Sequence, residues 1–456
     1  MVRRALSLLL LAVATRSASG QRVAGDGGVV GTFRQWVTER RVVGIAAGWL
    51  DGTSHGTAVA GVARAGVPAA VTDATIFEIG SITKAFTGTL LAAMVLKGDV
   101  ALDDPVAKHL PGWTIPRYDG REITLLDLAT QSSGLPRLPT NFAPADGFDP
   151  YADYDDAKLK EFLAGYRLPR APGAQYEYSN LGMGLLGRAL AQRNGTTYEA
   201  LLRERILEPL RMKDTRVSQD PAWQGREASG HSEVFAPIKG WHFSALQAAG
   251  ALRSSVADMM RFAAALRDTT SGPLARALAF AIRPRRPISG ADSIGLAWHH
   301  RHADGADIVW HNGATGGFRS WLSADLVKRR AVVVLTNGGA VPLDATGLEL
   351  QGNEALTAPP AIDQAKEIAL PAMKLAKFVG RYEISTQFAL EISQHDDTLF
   401  VQATGQQILP VFATSPTTFF YKAVKAELSF RVDSTGAVTG LVLRQNGAEQ
   451  PARRVR

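Results

Sequence analysis

Residues 77–84, FEIGSITK, lead directly into an apolar helical pattern over residues 85–97. Ser81 is therefore expected at the N-terminus of a helix, with Lys84 on the same face because residues three apart are neighbours there. A serine hydroxyl is a weak nucleophile until a base takes its proton, and the amine of Lys84 lies within reach of it. Helix N-termini also supply backbone N–H groups that favour an oxyanion. The pattern predicts a nucleophile at a helix start, although an N-cap serine beside a solvated lysine fits it too.

Outward from this stretch, the chain predicts an α+β domain. A helical pattern over residues 29–41 precedes two strand-like runs joined by the turn Asp51-Gly52. Long helical patterns fill the middle of the chain, and strands return near its end. The predicted strands are residues 42–50, 56–65, 308–310, 321–322 and 331–336, and two of the helices are 85–97 and 257–267. This order favours an antiparallel sheet flanked by helices, with an additional all-helical region, over residues 21–345.

The residues after 345 differ from the rest of the chain in composition and in the length of their apolar runs. Residues 346–371 are polar and contain Ala358-Pro359-Pro360, which predicts a linker. Beyond it, residues 372–456 alternate short apolar runs with turn-forming residues such as 395–397 and 433–436. Short strands at this spacing predict a small all-β, barrel-like domain.

The N-terminus reads as a signal peptide. Residues 1–20 contain a basic start, an apolar run from Ala5 to Ala14 and the small residues Ala18 and Gly20. A run of this length is too short for a bilayer, which needs roughly 20 residues. We therefore expect a secreted or periplasmic protein without stable membrane insertion after cleavage, with a signal anchor as the less favoured alternative.

Composition excludes several classes of function. The 456 residues contain no cysteine, which excludes disulfides, thiol catalysis and a lipid-anchored mature N-terminus. Removal of the three signal-peptide arginines lowers the formal charge from +7 to +4, too weak and too dispersed for a nucleic-acid-binding surface. His299, His300 and His302 alternate along a predicted strand without a suitable carboxylate pair, so we expect no metal site.

Two later motifs carry polar residues beside predicted turns. Residues 175–180 read QYEYSN before a helical pattern, and residues 310–318 read WHNGATGGF beside a strand. The glycines allow a substrate to approach the backbone closely. Each motif alone also fits an ordinary turn, and Tyr176 is expected to serve in packing rather than in substrate contact.

Taken together and in this order, the motifs resemble those of the serine β-lactamase and penicillin-binding-protein superfamily. The chain reads Ser81-x-x-Lys84, then Tyr178-Ser179-Asn180, then His311-Asn312-Gly313. The nearest likeness is to class C β-lactamases and related D-stereospecific peptidases and esterases. Residues 123–136 also resemble the stretch that joins the first two motifs. The resemblance covers roughly residues 30–345, and the C-terminal domain resembles the lipocalin-like domain appended to many of these hydrolases.

The resemblance implies a role for each residue. Ser81 would be the nucleophile, Lys84 would help to remove its proton, and Tyr178 would act as general base and then as acid. Asn180 would orient Lys84 and the substrate amide. The substrate would also contact the segment His311, Asn312, Gly313 and Ala314, with the N–H groups of Ser81 and Ala314 forming the oxyanion hole.

One position departs from the pattern, because β-lactamases usually carry lysine where this chain has His311. A neutral histidine binds a carboxylate less strongly than lysine does, so specificity is open at this position. We expect the imidazole to gain a proton, and penicillins to bind better, below about pH 6.5.

The prediction for function is a hydrolase that forms an acyl-enzyme with a β-lactam or a D-amino-acid-type amide or peptide. No metal or organic cofactor is implied, and the expected partner is a small-molecule or short-peptide substrate. A carboxylesterase with the same site is the first alternative. A penicillin-recognising binding protein without turnover is the second. The sequence leaves the oligomeric state open.

Overall fold

A computed structural model of the chain describes residues 26–232, 235–268, 272–303, 305–339, 341–360, 367–385, 388–404, 406, 408–421, 426–445 and 448–455. The predicted signal peptide, residues 1–20, lies outside the described residues.

The described residues contain a large sheet and a set of helices that enclose it. The strands of the first domain are β1 Gly44–Asp51, β2 Ser54–Gly61, β3 Phe77–Glu78, β4 Gly230–His231, β5 Pro237–Ile238, β6 Arg253–Ser254, β7 Arg286–Ser289, β8 Asp292–Ile294, β9 His299–Ala303, β10 Ala306–Ala314, β11 Arg319–Asp325 and β12 Arg330–Thr336. The helices are α1 Asp26–Thr38, α2 Thr83–Lys97, α3 Leu125–Ala129, α4 Asp156–Gly165, α5 Asn180–Arg193, α6 Tyr198–Leu202, α7 Val256–Arg267, α8 Pro273–Ala281, α9 Leu343–Gly352 and α10 Ala372–Leu375.

Eight of these strands form one antiparallel sheet in the order β2-β1-β12-β11-β10-β9-β8-β7. The predicted antiparallel sheet with flanking helices is confirmed. Strand β12 shows why the sheet needs helices on both faces, because successive side chains of a strand point to opposite sides. Val332 and Val334 pack in the cluster that includes Phe33 of α1, whereas Val333 and Leu335 belong to the main core with α7.

Helix α2 runs through the helical region and is buried along most of its length. It ends at Gly98, whose φ of 82° and N–H bonds to the carbonyls of Met94 and Val95 form a left-handed C-cap. Its interior position fixes Ser81, just before its first turn, at the junction of the sheet and the helical region. No helix in the described part of the chain is both long and apolar enough to cross a membrane.

The C-terminal domain is a closed antiparallel barrel, as predicted. Its strands are β13 Gly380–Ser385, β14 Phe388–His395, β15 Thr398–Ala403, β16 Ile408–Ala413, β17 Thr418–Tyr421, β18 Ala426–Val432, β19 Val438–Gln445 and β20 Ala448–Val455. Strand β13 pairs with β20 to close the barrel. Phe148 of the first domain packs against the hydrophobic core of the barrel.

The predicted linker began too early. Residues 343–352 form α9, which packs against the sheet. Its apolar side chains Leu343, Leu348 and Leu350 contact the cluster around Trp321, and Gly347 lies against the Trp321 ring. The sequence did not predict α9 because polar residues are interspersed with its apolar ones. A short helix needs only one apolar stripe to pack against a sheet.

Candidate active site

Ser81 lies in a short 3-10 turn, Gly80–Ile82, that leads into α2. The turn depends on Gly80, whose φ of +49° is a conformation that side chains rarely adopt. A Cβ on Gly80 would lie 2.8 Å from both the nitrogen and the oxygen of Ala314. The turn is therefore pressed against the end of β10.

Two further contacts hold this turn to the sheet. The hydroxyl of Ser320 donates to the carbonyl of Ile79 at 2.8 Å. A Cβ on Gly313 would lie 2.1 Å from the same carbonyl oxygen, so only glycine permits the approach. The backbones of Ser81 and Ala314, the two predicted oxyanion donors, consequently lie on adjoining segments, and Ala314 is exposed to solvent.

Lys84 is fully buried beneath Ser81. Its Nζ lies 3.0 Å from Oγ of Ser81 and donates to the carbonyl of Ala249 at 2.5 Å. Burial, followed by the positive charge of Arg137, lowers the pKa of Lys84 well below its ordinary value. An amine in this position is biased towards the neutral form, whose lone pair can accept a proton.

Tyr178 completes the group around the nucleophile. Its hydroxyl lies near Ser81, and Nζ of Lys84 lies 4.8 Å from its ring centroid. Burial raises the pKa of Tyr178, and the neighbouring Ser81 hydroxyl and the charge of Arg137 oppose that shift only in part. The phenol is thus held as a proton donor, which differs from the role of general base that the resemblance implied.

The residues on either side of Tyr178 are hydrogen-bonded to residues 131–137. The amide of Ser179 donates to Oε1 of Gln131 at 2.7 Å, and its hydroxyl donates to the carbonyl of Pro136 at 2.6 Å. Arg137, whose Cζ lies 5.0 Å from the ring centroid of Tyr178, follows immediately. Gln131 and Arg137 are not among the predicted site residues, although Arg137 directly follows residues 123–136, the stretch that resembles the connection between the first two motifs.

Asn180 does not have the predicted partner. Its Nδ2 donates to the hydroxyl of Tyr151 at 2.9 Å, and its Oδ1 is buried without a hydrogen-bond partner among the described residues. The prediction that Asn180 orients Lys84 is therefore wrong in this structure, since Lys84 bonds Ser81 and Ala249 instead. The unpartnered oxygen remains available to a substrate N–H.

His311 lies near Tyr178, with 6.5 Å between the ring centroids. Its Nδ1 donates to the carbonyl of Asn312 at 2.6 Å, so Nε2 carries a lone pair rather than a proton. Burial, then the neighbouring His299 and Lys84, lowers the pKa of His311 well below its ordinary value. The expectation that this imidazole gains a proton below about pH 6.5 is therefore wrong, because full burial disfavours the charged form.

Asn312 points away from the nucleophile. Its Nδ2 donates to Oδ2 of Asp344 in α9 at 2.7 Å. Neighbouring side chains of a strand lie on opposite faces, which places His311 near Tyr178 and Asn312 on the α9 side. The predicted substrate contact through the Asn312 side chain is not supported.

The three histidines of β9 do not share one set of partners. His299 Nε2 lies 3.1 Å from the hydroxyl of Tyr176, whereas His300 and His302 both lie near Asp307. Among the described residues, no cluster of three or more histidines and carboxylates could hold a metal ion. Tyr176 contacts His299, whose ring centroid lies 5.0 Å from that of His311.

Comparison with known sequences is decisive for the family. Residues 29–355 match the protein family described as Beta-lactamase. The chain belongs to the Beta-lactamase family. The barrel region of this Beta-lactamase family member, residues 364–453, matches a second family described as a domain of unknown function, DUF3471.

Several relatives of this Beta-lactamase family member have names that describe their activity. It is 29% identical over 303 residues to a Beta-lactamase of Escherichia coli strain K12, covering 59% of this chain and 76% of that one. It is 29% identical to the D-alanyl-D-alanine-carboxypeptidase/endopeptidase AmpH of the same strain, covering 62% and 78%. Penicillin-binding protein 4* of Bacillus subtilis strain 168 is 25% identical, covering 84% and 88%.

A solved structure shares the fold. The class C beta lactamase from Rhodobacter sphaeroides superposes with a TM-score of 0.60 at 26% identity, covering 69% of this chain and 94% of that one. The predicted resemblance to the serine β-lactamase and penicillin-binding-protein superfamily is confirmed.

Proposed function

We propose that this chain hydrolyses amide or ester bonds through an acyl-enzyme formed on Ser81. One observation carries the proposal: Oγ of Ser81 lies 3.0 Å from a fully buried amine, Nζ of Lys84, and the hydroxyl of Tyr178 lies near the same oxygen. A hydroxyl held between a base and an acid is the arrangement that nucleophilic catalysis requires.

Lys84 acts as the base in acylation. Its lowered pKa favours the neutral amine, which takes the proton of Ser81 as Oγ bonds the substrate carbonyl carbon. The N–H groups of Ser81 and Ala314 stabilise the resulting oxyanion. Because the donors are backbone groups on adjoining segments, they need no rearrangement during the reaction.

Tyr178 acts as the acid. Its raised pKa keeps the phenol protonated, so it donates to the leaving nitrogen or oxygen as the bond to the acyl carbon breaks. The proton held by Lys84 then restores the phenol. Water releases the acyl group by losing a proton to Lys84 as it attacks the ester carbon. The protonated Lys84 then gives this proton to Oγ of Ser81 as the ester bond breaks, which restores both groups.

The substrate class favoured by the relatives is a β-lactam or a D-amino-acid-type amide, since their names include Beta-lactamase and D-alanyl-D-alanine-carboxypeptidase/endopeptidase. Carboxylesterase activity is the second candidate. The neutral, buried imidazole of His311 favours it, because that side chain supplies no positive charge for a substrate carboxylate.

Intact-protein mass spectrometry tests the proposal. The wild type, Ser81→Ala and the control Ser218→Ala, an exposed serine, are each mixed with a penicillin and with a p-nitrophenyl ester. We expect an adduct that forms and decays in the wild type and the control but does not form in Ser81→Ala. An adduct on Ser81→Ala contradicts the assignment of the nucleophile, and an adduct that never decays favours a binding protein without turnover.

We also propose export through residues 1–20, on the basis of their basic and apolar pattern. N-terminal sequencing of the protein recovered outside the cytoplasm checks this: the expected first residue is Gln21. Recovery only in the cytoplasm with an intact N-terminus contradicts it.

A further inference from the structure

The basic side chains around Ser81 differ in whether they carry a positive charge. Lys84 and His311 are both fully buried, and burial lowers the pKa of each well below its ordinary value. The Nε2 atom of His311 carries a lone pair, which would repel a carboxylate rather than bind it. Neither side chain is therefore suited to hold an anionic group of a substrate.

Arg137 differs from both in exposure and in charge. Its side chain is exposed, yet its Cζ lies 5.0 Å from the ring centroid of Tyr178. A guanidinium stays protonated in proteins and presents donors in a planar fork that matches a carboxylate. Stacking on the ring restricts its rotamers, so less conformational entropy is lost when a ligand binds.

The backbone of Arg137 is fixed to the tyrosine motif. Its carbonyl accepts the N–H groups of Asn180 at 3.0 Å and Leu181 at 3.3 Å, at the first turn of α5. The carbonyl of the preceding residue, Pro136, accepts the hydroxyl of Ser179. The guanidinium therefore projects from a rigid segment beside Tyr178 and is not carried by a free loop.

No carboxylate neutralises this guanidinium. Among the described residues, Arg137 has no ion pair and no side-chain hydrogen bond, whereas other arginines near the site are paired. Arg170 pairs with Glu177, and Arg121 and Arg286 share Asp127. The charge of Arg137 acts on the phenols of Tyr151, Tyr176 and Tyr178 and on the amine of Lys84.

We propose that Arg137 is the anion-binding residue of the active site and pairs with a carboxylate on the substrate while Ser81 is acylated. This proposal rests on the acyl-transfer function proposed above and names a feature of its substrate class. The enzyme thus prefers acyl donors that carry a carboxylate over neutral donors of the same size. The preference comes from a side chain outside the three sequence motifs.

The kinetic test uses a matched pair of esters, p-nitrophenyl hydrogen glutarate and p-nitrophenyl valerate, which differ mainly in a terminal carboxylate. In Arg137→Gln, the ratio of kcat/KM for the anionic ester to that for the neutral ester should fall about tenfold, as expected for loss of a charge-assisted hydrogen bond at an exposed site. Arg137→Lys should recover part of the ratio, because it restores charge without the fork.

Arg121→Gln is the matched control, because it removes an exposed positive charge while Arg286 still pairs with Asp127. This control should keep the wild-type ratio. A ratio in Arg137→Gln equal to that of the wild type overturns the proposal, as does an equal fall in the control. Equal losses on both esters show that Arg137 acts only through Tyr178 and also overturn it.

A binding measurement distinguishes the proposal for Arg137 from the proposal that Ser81 is acylated. Binding of both esters to Ser81→Ala is measured by calorimetry, with and without Arg137→Gln. We expect the preference of Ser81→Ala for the anionic ester to disappear in the double variant. If the wild type binds the anionic ester through Arg137 but does not hydrolyse it, only the acyl-transfer function is contradicted. If neither ester binds, or both bind equally well, the role of Arg137 is contradicted.

Discussion

Replacing Gly80 with alanine tests whether the contact between the nucleophile turn and β10 sets the catalytic geometry. The added Cβ would lie 2.8 Å from the nitrogen and oxygen of Ala314, against an ordinary contact that begins at 3.4 Å. Relief of the overlap requires the two backbones to separate by about 0.6 Å, because neither is the flexible end of a side chain. The two oxyanion donors, on Ser81 and Ala314, would then move apart.

Gly80→Ala should affect both kcat and the stability of the folded state. Loss of one oxyanion-hole donor costs about 10²–10³ in kcat, and a misplacement of about 1 Å costs about 10²-fold. Because the separation in Gly80→Ala is smaller and leaves both donors present, we expect kcat to fall about 10- to 100-fold. The positive φ of Gly80 adds about 1–2 kcal/mol of backbone strain to the folded state.

The assay separates the two effects with a matched control. Gly52 also has a positive φ, +58°, but an added Cβ there meets nothing within 4 Å. Gly52→Ala should therefore lower the melting temperature by a similar few degrees and leave turnover of a neutral p-nitrophenyl ester unchanged. If Gly80→Ala keeps wild-type kcat, or if both variants lose activity in proportion to stability, the contact with Ala314 does not organise the oxyanion hole.

The remaining predictions concern proton transfer and the C-terminal domain. If neutral Lys84 is the base, the acylation rate should rise with pH through the lowered pKa of Lys84 and level off well below pH 10.5. Arg137→Gln should shift this rise in the acylation rate to higher pH, because the variant lacks a positive charge that lowers the pKa of Lys84. The rate is measured by stopped flow as a function of pH. A flat profile, or a shift to lower pH in the variant, argues against Lys84 as the base. A chain ending at residue 360 should still be acylated at Ser81, because the groups around Ser81 come from residues before α9. Labelling by a fluorophosphonate checks this. If the truncated chain has native circular dichroism but is not labelled, the barrel supports the site through Phe148.

Much of the fold and of the site is encoded locally. The period of apolar residues predicts the helix over residues 85–97 and the strand over 331–336, and the structure places them at Thr83–Lys97 and Arg330–Thr336. The i, i+3 spacing of Ser81 and Lys84 sets their separation once the helix begins. Sequence patterns succeed here because hydrogen bonding within a helix and alternation along a strand depend on near neighbours.

Proton affinity and side-chain partners were decided by the tertiary structure. Burial, to which distant segments contribute, holds His311 neutral, favours Tyr178 as an acid and lowers the pKa of Lys84. Asn180 bonds Tyr151, a residue 29 positions away, and that choice depends on how the two segments pack. Arg137 acquires its place over Tyr178 in the same way. The sequence by itself determined which groups can react, because reactivity belongs to residue types; the fold decided which of them are charged and what they touch, because desolvation and contact arise only when distant segments meet.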